Sequence, residues 1–300
     1  MIESKKIKLT VIVTTYNRAN KLDRTLAAIH SQTRQPDELI VSDDCSTDDT
    51  SVVALDWKDK FKNYRYVRND RNLYMPGNLN AAMALAGGEY IANLHDADTF
   101  HPELLAKWEK ALDDYPSAGF VFCGSEDRFE DRRRKSVIHV HEIPPISTGK
   151  QFFEMQYVGG LSGPVWGTVM GRRLVYSKLG PYDPNCAWIS DVDMRMRMCK
   201  DYDVAYVKEP LLVLDNEMNA ERKFRWSRLL LHDKIVNTNI RRIFSDDEHK
   251  IERLLAIQRN YFRRRYFRIM IGRLYHCDWI QMGVGFRMAF AIFSSRELEN

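Results

Sequence analysis

The chain has 300 residues, of which 44% are apolar and 29% are charged, a composition typical of a globular protein. No apolar run is long enough to cross a bilayer, and residues 1–8 are too polar and too short for a secretory signal, so we expect a cytoplasmic protein. The five cysteines are scattered without Cys-x-x-Cys spacing, which argues against a disulfide framework and against a structural zinc site.

The net charge of +4 comes from the carboxyl-terminal part of the chain. Residues 221–300 carry 17 Lys and Arg against 9 Asp and Glu, whereas residues 1–220 carry 28 against 32. A local basic excess favours a polyanionic partner, and a membrane surface fits better than nucleic acid because no nucleic-acid-binding motif is recognisable. We therefore predict a main domain over residues 1–220 and a basic extension over residues 221–300.

Short apolar runs of strand length alternate with segments of helical periodicity through the main domain. This alternation is typical of an α/β fold, so we predict a doubly wound, mostly parallel sheet flanked by helices, followed by a mainly helical extension. The predicted strands are 9–14, 38–42, 64–68, 90–94 and 119–124, and the predicted helices are 22–31, a helix from 51, 78–85 and 104–112.

Polar residues follow the first two predicted strands, at the edge where parallel sheets bind ligands. Thr14, Tyr16 and Asn17 stand between the first strand and its helix, where hydroxyls, an aromatic ring and free helix N–H groups suit a nucleotide. Asp43 and Asp44 end the second strand and could accept hydrogen bonds from a base or a ribose.

The stretch from Glu89 to Pro102 contains a candidate metal site. Its apolar run is followed by Asp96 and Asp98, and two carboxylates one residue apart in irregular backbone can converge on one hard cation. A cation with open positions can also take phosphate oxygens, so we predict a Mg²⁺ or Mn²⁺ site for a diphosphate. Taken alone, an Asp-x-Asp motif is more often a pair of solvated acids on a loop.

A later helix is predicted to begin near Ser190, which could cap it, with Asp191 in its first turn. Asp191 is either a carboxylate that stabilises the helix dipole or a general base, because a helix N-terminus keeps an acid deprotonated at neutral pH. Arg195 and Arg197 are expected to be solvated or ion-paired. The glycine-rich stretch 159–171 is either a close-packed turn or the wall of a sugar pocket.

Together these segments resemble the family 2 inverting glycosyltransferases of the GT-A fold. The series is far more specific than any single motif. Two features depart from the family pattern: His95 and Ala97 interrupt the usual run of acids, and Ser190 replaces a common Glu. The matching segments, in the family's order, are Val-Ile-Val-Thr-Thr-Tyr-Asn-Arg, Asp43-Asp44-x-Ser-x-Asp, Gly77-Asn78, Ala-Gly-Gly-Glu-Tyr-Ile, Asp96-Ala-Asp98 and Ser-Asp191-Val-Asp193.

The resemblance implies a binding site for the sugar donor. Thr14, Tyr16 and Asp44 would hold the nucleoside, and Asp98, with or without Asp96, would bind Mg²⁺ or Mn²⁺ on the diphosphate. Which of the two aspartates is the main metal ligand stays open. The full set of candidate donor-binding residues is Thr14, Tyr16, Asn17, Asp43, Asp44, Asn78 and Asp96.

The resemblance also implies an inverting transfer in one displacement, in which Asp191 deprotonates the acceptor hydroxyl and Asp193 is the alternative base. The expected function is metal-dependent transfer of a sugar from a nucleotide-diphosphate sugar to a saccharide or lipid-linked saccharide, in synthesis of surface polysaccharide or glycolipid. Two other hypotheses stay open. One is a nucleotide-sugar-binding protein without turnover; the other is a nucleotidyltransferase, which would favour a Gly-rich phosphate loop after the first strand.

The basic extension lies outside the resemblance and is predicted to contain an amphipathic helix. Its apolar residues from Ile251 to Met270 recur at helical intervals among arginines, and residues 286–293 add a second apolar stretch. Such a helix can lie on the inner face of a membrane. Its apolar side can equally pack on the main domain or on a second subunit of a homo-oligomer, and periodicity alone does not choose.

Overall fold

The computed structural model describes residues 7–129, 135–158, 167–216 and 226–275. By internal contacts, the chain divides into one compact unit of Met1–Gln156 with Ser162–Ala220 and a second of Tyr157–Leu161 with Glu221–Asn300. The domain division predicted from the sequence remains a prediction.

The described part of the first unit contains ten strands and seven α-helices. The strands are β1 (Leu9–Thr15), β2 (Glu38–Asp43), β3 (Tyr64–Arg68), β4 (Tyr90–His95), β5 (Asp98–Phe100), β6 (Ala118–Phe129), β7 (Val137–His139), β8 (Ile146–Ser147), β9 (Val169–Arg172) and β10 (Asp203–Asn216). The helices are α1 (Ala19–His30), α2 (Thr50–Asp56), α3 (Tyr74–Leu85), α4 (Leu104–Asp114), α5 (Gly149–Tyr157), α6 (Arg173–Leu179) and α7 (Ser190–Met198).

These strands form one sheet in the order β3-β2-β1-β4-β9-β6-β10-β5, with β7 beside β6 and β8 beside β10. Strands β3, β2, β1 and β4 run parallel to one another, as do β6 and β10, whereas β9 is antiparallel to both of its neighbours. The predicted fold class, a mostly parallel sheet flanked by helices, is confirmed. The antiparallel β9 was not predicted, because its sequence was interpreted as part of a glycine-rich stretch.

Apolar periodicity explains why these elements pack as they do. Strand β1 is buried along almost its whole length, as expected of a parallel strand covered by helices on both faces. Helices α1 and α4 each bury one side, and each fully buried apolar side chain contributes about 1.5–3 kcal/mol. The buried apolar residues on these two helices are Leu22, Leu26, Ile29, Leu104, Leu105, Trp108, Ala111 and Leu112.

Three segments differ in detail from their predictions. Helix α3 begins at Tyr74, four residues before the predicted start at residue 78, and Met75 departs from helical geometry in its first turn. The strand predicted over 119–124 continues to Phe129 as β6, where Glu126 pairs with Ile138 of the antiparallel strand β7. Of the glycine-rich stretch, residues 159–166 lie outside the described residues, so the sugar-pocket interpretation is untested there.

In the second unit, residues 226–275 contain helices α8 (Trp226–Ile243) and α9 (Glu248–Tyr275), which contact each other. Gln258 on α9 donates a hydrogen bond of 2.9 Å to the carboxylate of Asp233 on α8. The helical periodicity predicted over 251–270 is confirmed. The apolar stretch 286–293 lies outside the described residues. Within the described ranges, no helix is both long and apolar enough to cross a membrane.

Candidate active site

The predicted site residues gather at one edge of the sheet because parallel strands end together. Thr14 near the end of β1 is in register with Ser42 of β2 on one side and with His95 of β4 on the other. The next residue of β1, Thr15, is in register with Asp43. The polar segments that follow these strands therefore begin side by side, at the edge where open α/β sheets bind ligands.

The corner between β1 and α1 is shaped by Asn17, whose φ of 51° lies in the left-handed region that asparagine tolerates. Its backbone N–H donates to Ser46 Oγ at 2.8 Å, and its side-chain oxygen accepts from the Thr47 N–H at 2.7 Å. These bonds fix the corner to the loop after β2. The neighbouring Tyr16 remains 44% exposed, so its ring is available to a ligand.

Asp48 joins the same two loops from the other side. Its carboxylate accepts hydrogen bonds from the backbone N–H groups of Ala19 and Thr50, near the N-termini of α1 and α2. Partial burial opposes ionisation, yet the hydrogen bonds from Thr50 and Ala19 hold the pKa of Asp48 below its usual value. A deprotonated Asp48 therefore fixes both helix starts at neutral pH.

Asp43 and Asp44 are buried and engaged in hydrogen bonds within the protein. Asp44 accepts from the side chain of Asn69 at 3.0 Å and from the backbone N–H groups of Leu73 and Tyr74 at 2.7 and 2.9 Å. Asp43 accepts from Tyr66 Oη at 2.7 Å and from a backbone N–H in its own loop. Asp44 thus holds the loop that precedes α3, and Asp43 connects the end of β2 to β3 and to its own loop.

Asn78 completes this buried network. It accepts from Ser42 Oγ at 2.6 Å and from Asn69 Nδ2 at 2.9 Å, and its own amide donates to the Ser42 carbonyl. Close by in sequence, the Asn80 side chain pairs with both backbone polar groups of Tyr182, each at 2.9 Å. These amides connect α3 to β2 and to the turn before α7.

The two aspartates of the predicted metal motif have different partners. Asp96 lies in the turn after β4 and forms an ion pair with Arg18, with Nη1 2.7 Å from Oδ1. The Asp96 side chain is 6% exposed and that of Arg18 is 48% exposed. Arg18 belongs to the corner after β1, so this pair ties the corner to the end of β4.

Asp98 is the first residue of β5 rather than part of an irregular loop, because β5 pairs antiparallel with β10. Thr168 Oγ1 donates to its Oδ2 at 3.2 Å, and Thr25 donates to its backbone carbonyl at 3.0 Å. The same Oδ2 lies 3.8 Å from Nδ1 of His95. Asp98 is therefore held rigidly, with an imidazole beside it.

Asp191 lies in the first turn of α7, and its carboxylate comes close to the ring of His95. A Cβ placed on Gly167 would lie 2.6 Å from Asp191 Oδ2 and 2.7 Å from His95 Cε1. The carboxylate of Asp191 and the ring of His95 therefore face one common point, which only glycine leaves open. Since His95 is also next to Asp98, the predicted base and the predicted metal ligand both lie near this ring, and we call the space between Asp98, His95, Gly167 and Asp191 the cleft.

Arg195 holds Asp191 in place. Its Nη1 lies 3.2 Å from Asp191 Oδ2, and its side chain is 2% exposed against 15% for Asp191. Asp193, the alternative base, pairs instead with Arg197 at 2.9 Å, and Arg197 also donates to the carbonyls of Leu179 and Pro181. The expected ion-pairing of both arginines is confirmed, and the geometry favours Asp191 over Asp193 as the residue that faces the cleft.

The start of α7 differs from the prediction in one respect. Ser190 is the first helical residue, and the residue that precedes it makes no side-chain cap, so the capping role predicted for Ser190 is wrong. Two buried tyrosines pack beside this helix. Burial, with the neighbouring Tyr176 and then the negative charge of Asp191, raises the pKa of Tyr182, so that this phenol stays neutral near Asp191.

The residues at the cleft fit a divalent cation that the substrate helps to bind. No group of three or more His, Cys, Asp or Glu side chains in the described ranges is arranged to hold a metal. Asp98 and His95 nevertheless supply an oxygen and a nitrogen donor, and a cation bound by few protein ligands takes its remaining ligands from phosphates and water. The donor set therefore suits a cation that binds together with a diphosphate.

Several of these residues were not identified as functional from the sequence. The sequence presents Arg18 as part of a motif, Arg195 as a solvated or ion-paired residue, and Gly167 as one glycine among several. His95 was noted only as an interruption. The available signal was spacing: Arg195 is four residues after Asp191, the distance at which helical side chains pair.

A model of the family described as glycosyl transferase family 2 matches residues 10–180. The GalNAc(5)-diNAcBac-PP-undecaprenol beta-1,3-glucosyltransferase of Campylobacter jejuni is 37% identical over 92 residues, which are 30% of each chain. The chain spans less than half the length of the first curated relatives that it matches.

Among solved structures, residues 1–349 of S. aureus TarS in complex with UDP align with a TM-score of 0.65 and 18% identity, over 83% of this chain and 70% of that one. The mannosyltransferase PcManGT of Pyrobaculum calidifontis, in complex with GDP-Man and Mn²⁺, aligns with a TM-score of 0.56 and 16% identity, over 96% and 81%. At these identities the likeness shows the fold, which is of the GT-A type.

Proposed function

The chain belongs to glycosyl transferase family 2, and from this premise we propose that it moves a sugar from a nucleotide-diphosphate sugar to an acceptor hydroxyl, with inversion at the anomeric carbon. The observation that carries the proposal is the common point faced by Asp191 and His95 above Gly167. A single displacement needs a base on one face of the sugar and a stabilised leaving group on the other. Asp191 is the candidate base, and Asp98, beside His95, is the candidate metal ligand for the leaving diphosphate.

The donor site is proposed at the edge formed by β1 and β2. The exposed ring of Tyr16 and the half-buried Thr14 are the groups placed to contact the nucleoside. Asp43, Asp44, Asn78 and Asn17 support this site in the proposal by fixing the surrounding loops, since their polar atoms already have partners within the protein.

Asp98, with or without Asp96, is the proposed carboxylate ligand for Mg²⁺ or Mn²⁺. When bound, such a cation would neutralise the charge that develops on the departing diphosphate. Asp191 would accept the proton of the acceptor hydroxyl, and the buried guanidinium of Arg195 orients its carboxylate for that task. The loss of a general base typically costs about a hundredfold to ten-thousandfold in rate.

The proposed acceptor is a saccharide, carried on a lipid and destined for a surface polysaccharide or glycolipid. The name of the Campylobacter relative specifies an undecaprenol-linked saccharide, which supports this class of acceptor. The basic extension also supports it, because an acceptor with a lipid carrier is presented at a membrane surface.

Helix α9 provides the proposed membrane contact, on the cytoplasmic face. The apolar side predicted from the sequence is largely buried, so lipid would meet the opposite side. That side combines arginines with exposed apolar residues, a combination found in helices that lie in the lipid interface. The residues concerned are Ile257, Arg263, Arg264, Phe267, Arg268 and Ile271.

The test is a thermal-shift screen of nucleotide sugars in the presence of Mn²⁺, followed by measurement of the nucleoside diphosphate released with saccharide acceptors. We expect one donor to stabilise the protein, by about 2.7 kcal/mol at a hundredfold excess over its Kd. If no nucleotide sugar stabilises the protein, the proposal fails. Stabilisation without release with any acceptor would favour a binding protein without turnover.

A further inference from the structure

His95 occupies a position where the family commonly has an acid, and it lies at the centre of the cleft. Its Nδ1 is 3.8 Å from Asp98 Oδ2, and its side chain is 41% exposed while that of Asp98 is 11% exposed. A ring that is accessible on one side and next to a buried carboxylate on the other is well placed to bind a ligand that enters the cleft.

The two aspartates of the motif are not equally available to a cation. Asp96 is already paired with the guanidinium of Arg18 at 2.7 Å, and a cation there would have to displace that charge. Asp98 is contacted by the hydroxyl of Thr168 and the imidazole of His95, and its side chain is 11% exposed against 6% for that of Asp96. Asp98 is therefore the carboxylate more accessible to a metal.

The spacing of the His95 and Asp98 donors suits one ion. Nitrogen and oxygen ligands lie about 2.1 Å from a small divalent cation, so one ion can bridge donors up to about 4 Å apart. Neighbouring ligands of one ion lie about 3 Å apart, so the 3.8 Å between Nδ1 and Oδ2 has to close by less than about 1 Å for both atoms to bind it. The absence of a side chain on Gly167 keeps the space beside the ring open.

We propose that His95 is a metal ligand, and that His95 with Asp98 forms a nitrogen and oxygen pair that binds a divalent transition metal together with the nucleoside diphosphate. The inference rests on the proposed function, since the diphosphate supplies the remaining ligands. Nitrogen donors raise the affinity of a site for the first-row transition metals, a series that begins at Mn²⁺, whereas Mg²⁺ prefers oxygen ligands alone. The centre is thus selective for Mn²⁺ over Mg²⁺, in contrast to a site built of carboxylates.

The experiment is pulsed electron paramagnetic resonance of untagged protein with Mn²⁺ and either UDP or GDP as the probe. A nitrogen bound to Mn²⁺ gives a ¹⁴N modulation, which changes to that of ¹⁵N when the protein is labelled with ¹⁵N-histidine. We expect this signal in the unmodified protein and its loss in His95→Gln. Because second-shell changes alone weaken metal binding by 10–100-fold, we expect Mn²⁺ affinity in His95→Gln to fall by at least about tenfold.

A second His–Asp pair provides the matched control. His139 Nε2 lies 3.2 Å from Asp127 Oδ2 on the β6–β7 hairpin. His139→Gln should leave the nitrogen signal and the Mn²⁺ affinity unchanged. The variant His95→Asp restores an acid at the position, and we expect it to raise the affinity for Mg²⁺ relative to Mn²⁺.

The outcomes separate this inference from the proposed function. If Mn²⁺ binds with UDP or GDP but shows no histidine nitrogen, or if His95→Gln binds it equally well, then His95 is not a ligand while the donor site stands. If the unmodified protein binds neither nucleotide with Mn²⁺, both proposals fail. Thermal unfolding of each variant shows whether a loss of binding reflects a loss of fold.

Discussion

Replacement of Arg195 by methionine tests whether the candidate base depends on a buried positive charge. Met has a similar length and keeps much of the packing, but it removes the guanidinium that lies 3.2 Å from Asp191. The carboxylate of Asp191 would then be left mostly buried without its counter-charge. Breaking a buried ion pair on one side costs about 3–5 kcal/mol in free energy of unfolding.

The structure places the expected cost at the lower end of that range. Arg195 is 2% exposed, yet Asp191 is 15% exposed on its cleft side and retains part of its hydration. We therefore expect Arg195→Met to lower the free energy of unfolding by about 3 kcal/mol. For a domain of this size, 1 kcal/mol corresponds to about 2–4 °C, so the Tm should fall by about 6–12 °C.

The assay is urea and thermal unfolding of Arg195→Met, Asp191→Asn and the double variant. If the cost arises from the uncompensated carboxylate, Asp191→Asn should recover part of the stability lost in Arg195→Met, with a coupling energy of about 1–3 kcal/mol. Arg195→Lys keeps a positive charge and should retain more activity than Arg195→Met. Additive single effects, within about 0.5 kcal/mol, would refute the dependence of Asp191 on Arg195.

Four further predictions address other parts of the molecule. Gly167→Ala places a methyl group between Asp191 and His95. It should reduce the rate of sugar transfer by about a hundredfold with little change in Tm. An unchanged rate would show that these side chains do not meet at the reacting sugar. Asp44→Ala removes the acceptor of three hydrogen bonds and should lower the free energy of unfolding by at least about 2 kcal/mol. A loss of affinity for the sugar donor at unchanged Tm would instead assign Asp44 to binding of the nucleoside. Three exposed arginines of α9, Arg263, Arg264 and Arg268, are to be replaced by glutamate. The variant should lose its binding to phosphatidylserine vesicles in a flotation assay while its helix content stays the same. Retained binding would argue against the membrane contact. Several carboxyl groups have lowered pKa values in the folded state, namely those of Asp37, Asp48 and Asp113. Their contribution to the free energy of unfolding should be fully present above the usual carboxyl pKa of about 4 and should fall as the pH drops below it. Urea unfolding between pH 2 and 6 measures this loss.

Much of the fold could be predicted from the sequence because its signals are local. The apolar runs that became β1, β2 and β4 are bounded by polar corners, and the positions of the helices between them follow from apolar spacing. The order of strands in the second half of the sheet could not be predicted. It depends on β9, a four-residue strand whose antiparallel placement between β4 and β6 is set by tertiary packing.

The sequence indicates the candidate site residues by type and position but not their interactions, and their roles stay predictions. The sequence placed Asp96, Asp98 and Asp191 near ends of elements, and the structure brings the last two to one cleft. It could not indicate that Asp96 pairs with Arg18, which lies 78 residues away. Nor could it distinguish an aspartate that contacts a ligand from one that holds a loop, as Asp44 does, since both are polar residues after a buried strand.

The most direct test of the central claim compares Asp98→Asn with Asp191→Asn by calorimetric donor binding in the presence of Mn²⁺ and by the rate of sugar transfer. We predict that Asp98→Asn loses Mn²⁺-dependent donor binding. Asp191→Asn should keep donor binding and lose transfer by about a hundredfold to ten-thousandfold. Near-normal transfer by Asp191→Asn, or unchanged Mn²⁺-dependent binding by Asp98→Asn, would contradict the assignment of base and metal ligand to this cleft.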